Sequence, residues 1–358
     1  MDNSQFQVYK TKVEGITERF DLNDPASRQK YFEAKAGSEI QKLRKFLENN
    51  TFVSFLLGKK NSGKGTYSKQ FIETVDKDRV GHLSVGDIVR DIHEVLETTE
   101  TAKEKLIDFL KTDYRGFHSI EETIDLIMGR SQSNLMSSEL ILSLIKYEIS
   151  KRPKQAIFID GFPRALDQVN YSLFLKELIG YRDDPDFFVF INVPTSIIDE
   201  RIKYRVVCPI CKTPRNVKLL ATKEVGYDQE NKSFYLICDN PSCDKARMVP
   251  KEGDELGVDP IRKRLEMDEQ IFKQLLQLTG IPKIFLRNSV PVDLVKDNID
   301  DYEITPEYQY ELDPETQKVK VIEKQWIIKD DEGIESYSLM PAAVVVSLIK
   351  QMVKVLDL

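Results

Sequence analysis

The chain has 358 residues, a length that allows one large domain with insertions or two to three smaller ones. Hydrophobic residues make up 41% and charged residues 31%, and the mean hydropathy is −0.38, which excludes fibrous and wholly disordered classes. No stretch reaches the roughly 18 consecutive apolar residues of a membrane-spanning helix, and residues 1–10 lack the apolar core of a signal peptide. We therefore expect a cytoplasmic protein with no membrane partner.

The charge is distributed unevenly along the chain. The 52 basic and 59 acidic residues give a net charge of −7, which argues against a nucleic-acid partner held mainly by attraction to phosphates. Residues 297–337 contain 13 acidic and 4 basic residues, a net charge of −9, so the remainder carries +2. A site for a small anionic molecule in the main body is compatible with this balance.

Residues 1–50 are predicted to form an N-terminal helical extension. Asp24 is a preferred helix-capping residue, and Pro25 suits the first helical position. An apolar stripe follows at helical spacing, formed by Ile40, Leu43, Phe46 and Leu47. We expect this helix to pack on the core of the molecule.

A core over residues 51–299 is predicted from apolar runs that alternate with amphipathic segments. The runs are apolar at consecutive positions, as in strands covered on both faces, and comprise residues 52–57, 156–159, 187–193 and 283–286. The amphipathic segments predict helices over residues 64–75, 166–179, 195–203 and 260–278. Residues 341–358 are assigned to the same core as its C-terminal helix. The alternation predicts the α/β class, with a parallel sheet flanked by helices.

Three stretches interrupt this alternation. A helical insertion is predicted over about residues 85–150, and a cysteine-bearing insertion over about residues 206–258. Residues 300–340 are predicted to be a small acidic β-insert, with strands over residues 302–312 and 319–328.

A glycine-rich loop joins the first predicted strand to a helix. It reads Gly58-Lys59-Lys60-Asn61-Ser62-Gly63-Lys64-Gly65-Thr66. In a strand–loop–helix context the glycines allow successive backbone N–H groups to point at a polyphosphate, and the helix N-terminus adds partial positive charge. Lys64 is placed to reach the outer phosphates. The motif predicts a P-loop fold of the NTPase type.

The ending Gly63-Lys64-Gly65-Thr66 resembles the adenylate kinase branch of the nucleoside monophosphate kinases. The resemblance extends to Ser84-Val85-Gly86-Asp87 with Arg90, to Asp160-Gly161-Phe162-Pro163-Arg164 with Gln168, and to Arg201, Arg205 and Arg264. It covers roughly residues 52–295 and the final helix. The N-terminal extension and the acidic β-insert have no counterpart in it.

The resemblance implies Mg²⁺-dependent phosphoryl transfer from ATP to a nucleoside monophosphate (NMP). Such transfer needs in-line positioning and cations around the phosphate oxygens, and arginine binds phosphate bidentately. The implied catalytic residues are Lys64, Arg90, Arg164, Arg205, Arg264 and Asp160, of which the aspartate would orient water on Mg²⁺. The implied ATP ligands are Gly58, Asn61, Ser62, Gly63, Lys64, Gly65, Thr66 and Arg201. The implied NMP ligands, carried partly by the helical insertion, are Ser84, Val85, Asp87, Arg90, Gly161, Arg164 and Gln168.

Four cysteines form two close pairs. Cys208 and Cys211 are separated from Cys238 and Cys243 by 26 residues. Clustered cysteines in a chain expected to be cytoplasmic favour a metal over disulfides, and four thiolates suit a closed, structural Zn²⁺ site. The insertion resembles the zinc-bearing lid of some bacterial adenylate kinases. A redox Cys-x-x-Cys is an alternative that the second pair disfavours; a zinc ribbon that binds nucleic acid is another, slightly supported by Lys212, Arg215, Lys218 and Lys223.

We therefore predict a monomeric adenylate kinase-like enzyme of nucleotide biosynthesis, acting on ATP and AMP. Two alternatives stay open. The first is a kinase of UMP or CMP, because Val85 stands where the family usually has a threonine against the AMP base. The second is a nucleotide-binding regulatory or scaffold protein whose altered lid has lost turnover.

Overall fold

The computed structural model describes residues 5–98, 100–128, 136–251 and 253–358. Residues 1–4 of the predicted extension, 99 and 129–135 of the predicted helical insertion, and 252 of the predicted lid lie outside the described residues. The helices are α1 Pro25–Leu47, α2 Lys64–Val75, α3 Val85–Thr98, α4 Glu100–Asp113, α5 Ile120–Ile127, α6 Ser138–Ser150, α7 Gln168–Leu178, α8 Thr195–Lys203, α9 Arg262–Gln277, α10 Val295–Asn298 and α11 Pro341–Val355. The strands are β1 Val53–Leu57, β2 Val80–Ser84, β3 Ala156–Asp160, β4 Asp186–Asn192, β5 Arg205–Val207, β6 Pro214–Asn216, β7 Val225–Asp228, β8 Ser233–Leu236, β9 Val249–Pro250, β10 Lys283–Arg287, β11 Ser289–Pro291, β12 Pro306–Leu312, β13 Val319–Gln325, β14 Ile327–Lys329 and β15 Glu335–Ser338.

A five-stranded sheet forms the centre of the molecule. Its strand order is β10-β4-β1-β3-β2, and every neighbouring pair runs parallel. Because side chains alternate along a strand, Val53, Phe55 and Leu57 of β1 pack into the core on one face, and Leu56 packs into the core on the other. The predicted α/β class, with a parallel sheet flanked by helices, is confirmed.

Helices cover both faces of this sheet. Helices α1, α2 and α11 contribute Tyr31, Phe71 and Val346 to one core, whereas α6, α7 and α9 contribute to the other. As predicted, Asp24 caps α1, and its carboxylate accepts a hydrogen bond of 2.8 Å from Ser27 N. The extension thus packs on the body of the protein through α1, which contacts α2 and α11. None of the described helices is both long and apolar enough to cross a membrane.

The acidic insert differs from its predicted outline at two places. The first strand begins at Pro306, because Asp301–Glu303 form a 3₁₀ turn that Asp300 closes with a capping box. The second predicted strand is divided into β13 and β14 at Trp326, whose side chain turns into the main core. Strands β12 and β13 form an antiparallel hairpin, while β14 and β15 form a second small sheet with β11.

Candidate active site

The phosphate loop lies between β1 and α2. Asn61 and Gly63 adopt left-handed backbone conformations, with φ values of 65° and 98°, which turn the chain sharply before α2 begins at Lys64. The ammonium of Lys64 donates hydrogen bonds to Gly58 O at 2.9 Å and Lys59 O at 3.0 Å. Asp160, at the end of the adjacent strand β3, has its carboxylate 3.8 Å from the Lys64 ammonium. The sheet thus brings the predicted lysine and aspartate together.

Two cavities meet at this loop. The cysteine-bearing insertion, over about residues 206–258, is called the lid. One cavity, of about 420 Å³, lies toward α9 and is called the inner cavity. The other, of about 470 Å³, lies toward the lid and is called the lid-side cavity. Asn61, Lys64 and Asp160 line both of them. A ligand in one cavity can therefore face a ligand in the other across Lys64.

All eight predicted ATP ligands line one of these cavities. Gly58 lines the inner cavity, and Asn61, Ser62, Gly63, Lys64, Gly65, Thr66 and Arg201 line the lid-side cavity. The rest of the wall of the lid-side cavity includes residues that were not predicted from the sequence. They are Leu219 and Leu220 from the lid, and Thr305, Ser338, Leu339, Met340 and Pro341 from both ends of the acidic insert and the start of α11. The insert, which has no counterpart in the family resemblance, therefore forms part of the cavity wall.

Two predicted arginines border the lid-side cavity at the base of the lid. Arg205 forms a two-point ion pair with Asp254, at 2.6 and 2.8 Å, and donates to Asn61 Oδ1 at 3.3 Å. Arg201 donates to Asn288 Oδ1 at 3.1 Å and to the backbone oxygen of Asn61 at 3.4 Å. Both arginines are thus held against the phosphate loop.

The inner cavity gathers positive charge. Burial, with the neighbouring charge of Arg264 as a second cause, lowers the pKa of Arg164. Burial, followed by the charges of Lys251 and Arg205, lowers the pKa of Lys60. Burial is thus the main cause of both pKa shifts, and repulsion between neighbouring cations, which a bound anion would relieve, adds to it.

Arg164 is well placed to bind such an anion. Its Nε is buried and has no hydrogen-bond partner among the described residues. The guanidinium lies close against Gly161, where an added Cβ would be 2.5 Å from Nη2. Arg264 also lines the cavity and donates to Arg164 O at 3.1 Å.

Asp268 is a further residue of the inner cavity that sequence reasoning missed. Its side chain is 8% exposed, pairs with Arg264 at 2.8 Å and accepts a hydrogen bond of 3.0 Å from Lys60 N. Burial is the main influence on this carboxyl group and raises its pKa. The sequence does contain a signal for Asp268, because this residue lies one helical turn after Arg264 on the helix predicted over residues 260–278.

The predicted NMP ligands are only partly brought together. Gly161 and Arg164 line the inner cavity, whereas Ser84, Val85, Asp87, Arg90 and Gln168 are not among the described residues that line either cavity. Arg90 instead pairs with Asp87 on the same helix, and its side chain is 73% exposed. Gln168 is buried, and its Oε1 accepts a hydrogen bond of 2.7 Å from Arg164 N. Gln168 therefore supports the backbone at Arg164 in this structure.

The four cysteines converge in the lid. Their Sγ atoms all lie within 4.8 Å of one another, and those of Cys211 and Cys238 are 3.7 Å apart. Sulfur ligands at the usual Zn–S distance form a tetrahedron with edges of about 3.8 Å, so the cluster fits such a metal. A hydrogen bond with the Thr213 hydroxyl is the main cause that lowers the pKa of Cys211 to about 6, which favours the thiolate that binds metal.

These features define a class of protein. A parallel sheet of this order, a glycine loop leading into a helix, and two cavities that share the loop lysine are the features of a P-loop phosphotransferase. No protein-family model matches the chain. The chain does match curated proteins, and three of these relatives are adenylate kinases.

The adenylate kinase of Thermotoga petrophila is 29% identical over 201 residues, which is 56% of this chain and 73% of the relative. That of Mycoplasma mobile is 26% identical over 220 residues, 62% of this chain and 82% of the relative. That of Mycoplasma capricolum is 23% identical over 257 residues, 72% of this chain and 97% of the relative. The chain is therefore similar to curated adenylate kinases at 23–29% identity, which supports a divergent relationship to that family. It is an enzyme of the phosphotransferase kind, and its relatives support nucleoside monophosphate kinase activity.

Proposed function

We propose that this enzyme transfers the terminal phosphoryl group of ATP to AMP, reversibly, to give two molecules of ADP. The observation that carries the proposal is the meeting of the two cavities at Lys64 and Asp160. ATP in the lid-side cavity would direct its outer phosphates toward the loop, and AMP in the inner cavity would present its phosphate to Arg164 and Arg264. The two nucleotides would then lie end to end, as in-line transfer requires.

The residues between the cavities suit this chemistry. Phosphoryl transfer depends on positioning and on cations around oxygens whose charge shifts in the transition state. Lys64 and Arg205 would contact the phosphates from the donor side, and Arg164 and Arg264 from the acceptor side. The lowered pKa values of Lys60 and Arg164 support an anionic occupant, because bound phosphate would reduce the repulsion that contributes to these shifts.

Two metals belong to the proposal. The Asp160 carboxylate at the end of β3 and the Thr66 hydroxyl of the phosphate loop both line the lid-side cavity and are oxygen donors of the kind Mg²⁺ prefers. The ion would neutralise phosphate charge. We assign Zn²⁺ to Cys208, Cys211, Cys238 and Cys243, where it would stabilise the lid without taking part in the chemistry. A monomeric state, a cytoplasmic location and the absence of a nucleic-acid partner stay predictions of the sequence.

An acceptor panel tests the proposal. ADP production is measured with ATP, Mg²⁺ and each of AMP, CMP, UMP and GMP. We expect turnover with AMP at the highest kcat/KM, and Lys64→Ala to lower that value by roughly a thousandfold or more. Lys77→Ala, which removes an exposed lysine just beyond α2, is the matched control and should keep wild-type rates.

Each other outcome identifies an alternative. Preference for CMP or UMP would replace AMP as the acceptor and leave the mechanism intact. ATP binding without turnover on any acceptor would contradict the proposal and support a regulatory or scaffold role. Wild-type rates in Lys64→Ala would show that the reaction does not depend on Lys64 and would contradict the proposed role of the phosphate loop.

A further inference from the structure

We propose that the β12–β13 hairpin is a brace that sets the position of the lid over the phosphate loop, with Tyr310 as its main positioning residue. The hairpin holds the lid segment that follows β6. Tyr308 N donates a hydrogen bond of 2.7 Å to Lys218 O, and the Tyr310 hydroxyl donates one of 2.5 Å to Val217 O. Two consecutive carbonyl groups of the lid are thus bonded to alternate residues of one strand.

Side-chain contacts strengthen this attachment. The ring of Tyr310 lies 5.6 Å from that of Phe234 in β8 and packs against the lid core that contains three of the four cysteines. The Lys218 ammonium is 2.5 Å from Glu200 on α8 and 3.6 Å from Glu307 on β12. One lid lysine therefore joins the lid to both the body and the hairpin.

The base of the hairpin is fixed to the body of the protein. Trp326, which follows β13, is buried in the main core. Beyond it, the Asp331 carboxylate accepts hydrogen bonds of 2.7 Å from Thr195 N and 2.8 Å from the Lys59 ammonium of the phosphate loop. A hairpin anchored at its base and bonded to the lid along β12 resists displacement of the lid relative to that loop.

The lid segment held by the hairpin also lines the candidate site. Leu219 and Leu220, next to the bonded carbonyl groups, form part of the wall of the lid-side cavity. Arg205, at the base of the lid, contacts Asn61 of the phosphate loop. Tyr310 therefore acts on the site through the lid and is itself absent from the described cavity linings.

Amide hydrogen exchange of the lid tests the brace without any reaction. The full chain, loaded with zinc and free of nucleotide, is compared as wild type, Tyr310→Phe, Tyr310→Ala and Gln309→Ala. Gln309 is the matched control, because it is exposed on the opposite face of the same strand. We expect lid amides over residues 217–236 to exchange about fivefold faster in Tyr310→Phe, which loses one hydrogen bond, and faster still in Tyr310→Ala.

The exchange result decides the inference. Unchanged exchange in a folded Tyr310→Ala protein with full zinc content would overturn it, as would equal acceleration in Gln309→Ala. If Tyr310→Ala does not fold, Tyr310→Phe decides alone, and unchanged lid exchange in that variant overturns the brace.

The kinetic part of the inference rests on the proposed function. We expect Tyr310→Phe to raise the KM for ATP about fivefold while kcat and the KM for AMP change less than twofold. A fall in kcat with unchanged KM for ATP would indicate lost active protein and count against positioning. If the wild type shows no turnover, the proposed function fails, whereas lid exchange still tests the brace.

Discussion

The carboxylate of Asp268 lies 2.8 Å from the guanidinium of Arg264, one turn earlier on α9. Its other oxygen accepts a hydrogen bond from Lys60 N in the phosphate loop. Asp268 is thus an acidic residue in the inner cavity, where Arg264 and other cations also lie. It fixes the position of Arg264, which we expect to contact the transferring phosphoryl group. This negative charge opposes the phosphates proposed to bind beside it.

Asp268→Asn should separate these two effects. The variant keeps the shape of the side chain and removes its charge, so we expect ADP to bind about fivefold more tightly as repulsion falls. We expect kcat to fall by about tenfold, because Arg264 loses its ionic partner. Calorimetry and steady-state rates measure the two values. Glu269→Gln is the control, because the Glu269 carboxylate pairs with Lys273 at 3.0 Å on the same helix. Weaker ADP binding in Asp268→Asn would contradict the proposal that Asp268 repels the bound phosphates.

Gly161→Ala should displace Arg164. Gly161 has a φ of +83°, and an added Cβ would lie 2.5 Å from Arg164 Nη2. We expect a stability loss of about 1–2 kcal/mol from backbone strain and a rise of about tenfold in the KM for AMP.

Gly180→Ala is a matched control, since Gly180 has a φ of +82° with no described atom within 4 Å of an added Cβ. It should lose similar stability without a change in KM. Urea unfolding and initial rates measure the two effects. Equal KM values in both variants would show that the position of Arg164 does not govern acceptor binding.

Lys35→Met should destabilise the protein strongly. Its ammonium lies 2.5 Å from Asp300 and 3.8 Å from Glu303, and the Lys35 and Glu303 side chains are fully buried. Removing the cation leaves the buried Glu303 carboxylate without a positively charged partner, so we expect a loss of about 3–5 kcal/mol in the free energy of unfolding.

Arg19→Ala provides the comparison for this ion pair. Arg19 pairs with Asp301 at 2.6 Å and also joins the N-terminal extension to the start of the insert, but both side chains are about two-thirds exposed. Urea unfolding should detect no change in this variant. Equal losses from the two substitutions would show that burial does not determine the contribution of these pairs.

Zinc binding should depend on the four clustered cysteines and on the groups that contact them. We expect about one equivalent of zinc in untagged protein and its loss in Cys238→Ser, while Ser242→Ala, an exposed change in the same knuckle, should retain it. Thr213→Val keeps all four thiolates but loses the hydroxyl near Cys211, so zinc affinity should fall about 10- to 100-fold. Metal analysis and competition with a chelator measure both, and well under one equivalent in the wild type would count against a zinc-stabilised lid.

The sequence predicted those parts of the molecule whose signals are local. The loop Gly58–Thr66, the cap at Asp24 and four of the five strands of the sheet are each readable from neighbouring residues, and the structure contains them. The fifth strand, β2, is not among the predicted apolar runs. The predicted strand over residues 302–312 includes Tyr302 and Glu303 of the turn Asp301–Glu303, although Asp300 and Glu303 carry the spacing of a capping box. Here the local signal existed and was missed.

The remaining features depend on long-range contacts. Thr305 and Leu339 meet the lid-side cavity only because an antiparallel bridge between Ile304 and Leu339 closes the insert. Arg90 was assigned to the acceptor site from its motif, but a local pairing with Asp87 holds it in solvent. A sequence pattern identifies residues that can bind phosphate, and tertiary packing decides which of them reach the cavity.

The packing of α1 against α11 has a consequence for synthesis of the protein. The two helices share one core, yet most of the chain, residues 48–340, lies between them. At usual elongation rates, roughly 15–60 s separate the emergence of the first helix from the ribosome and that of its partner. During this interval the apolar stripe of α1 lacks the part of its native cover that α11 supplies, so the nascent chain should bind chaperones until residue 355 has been translated and released.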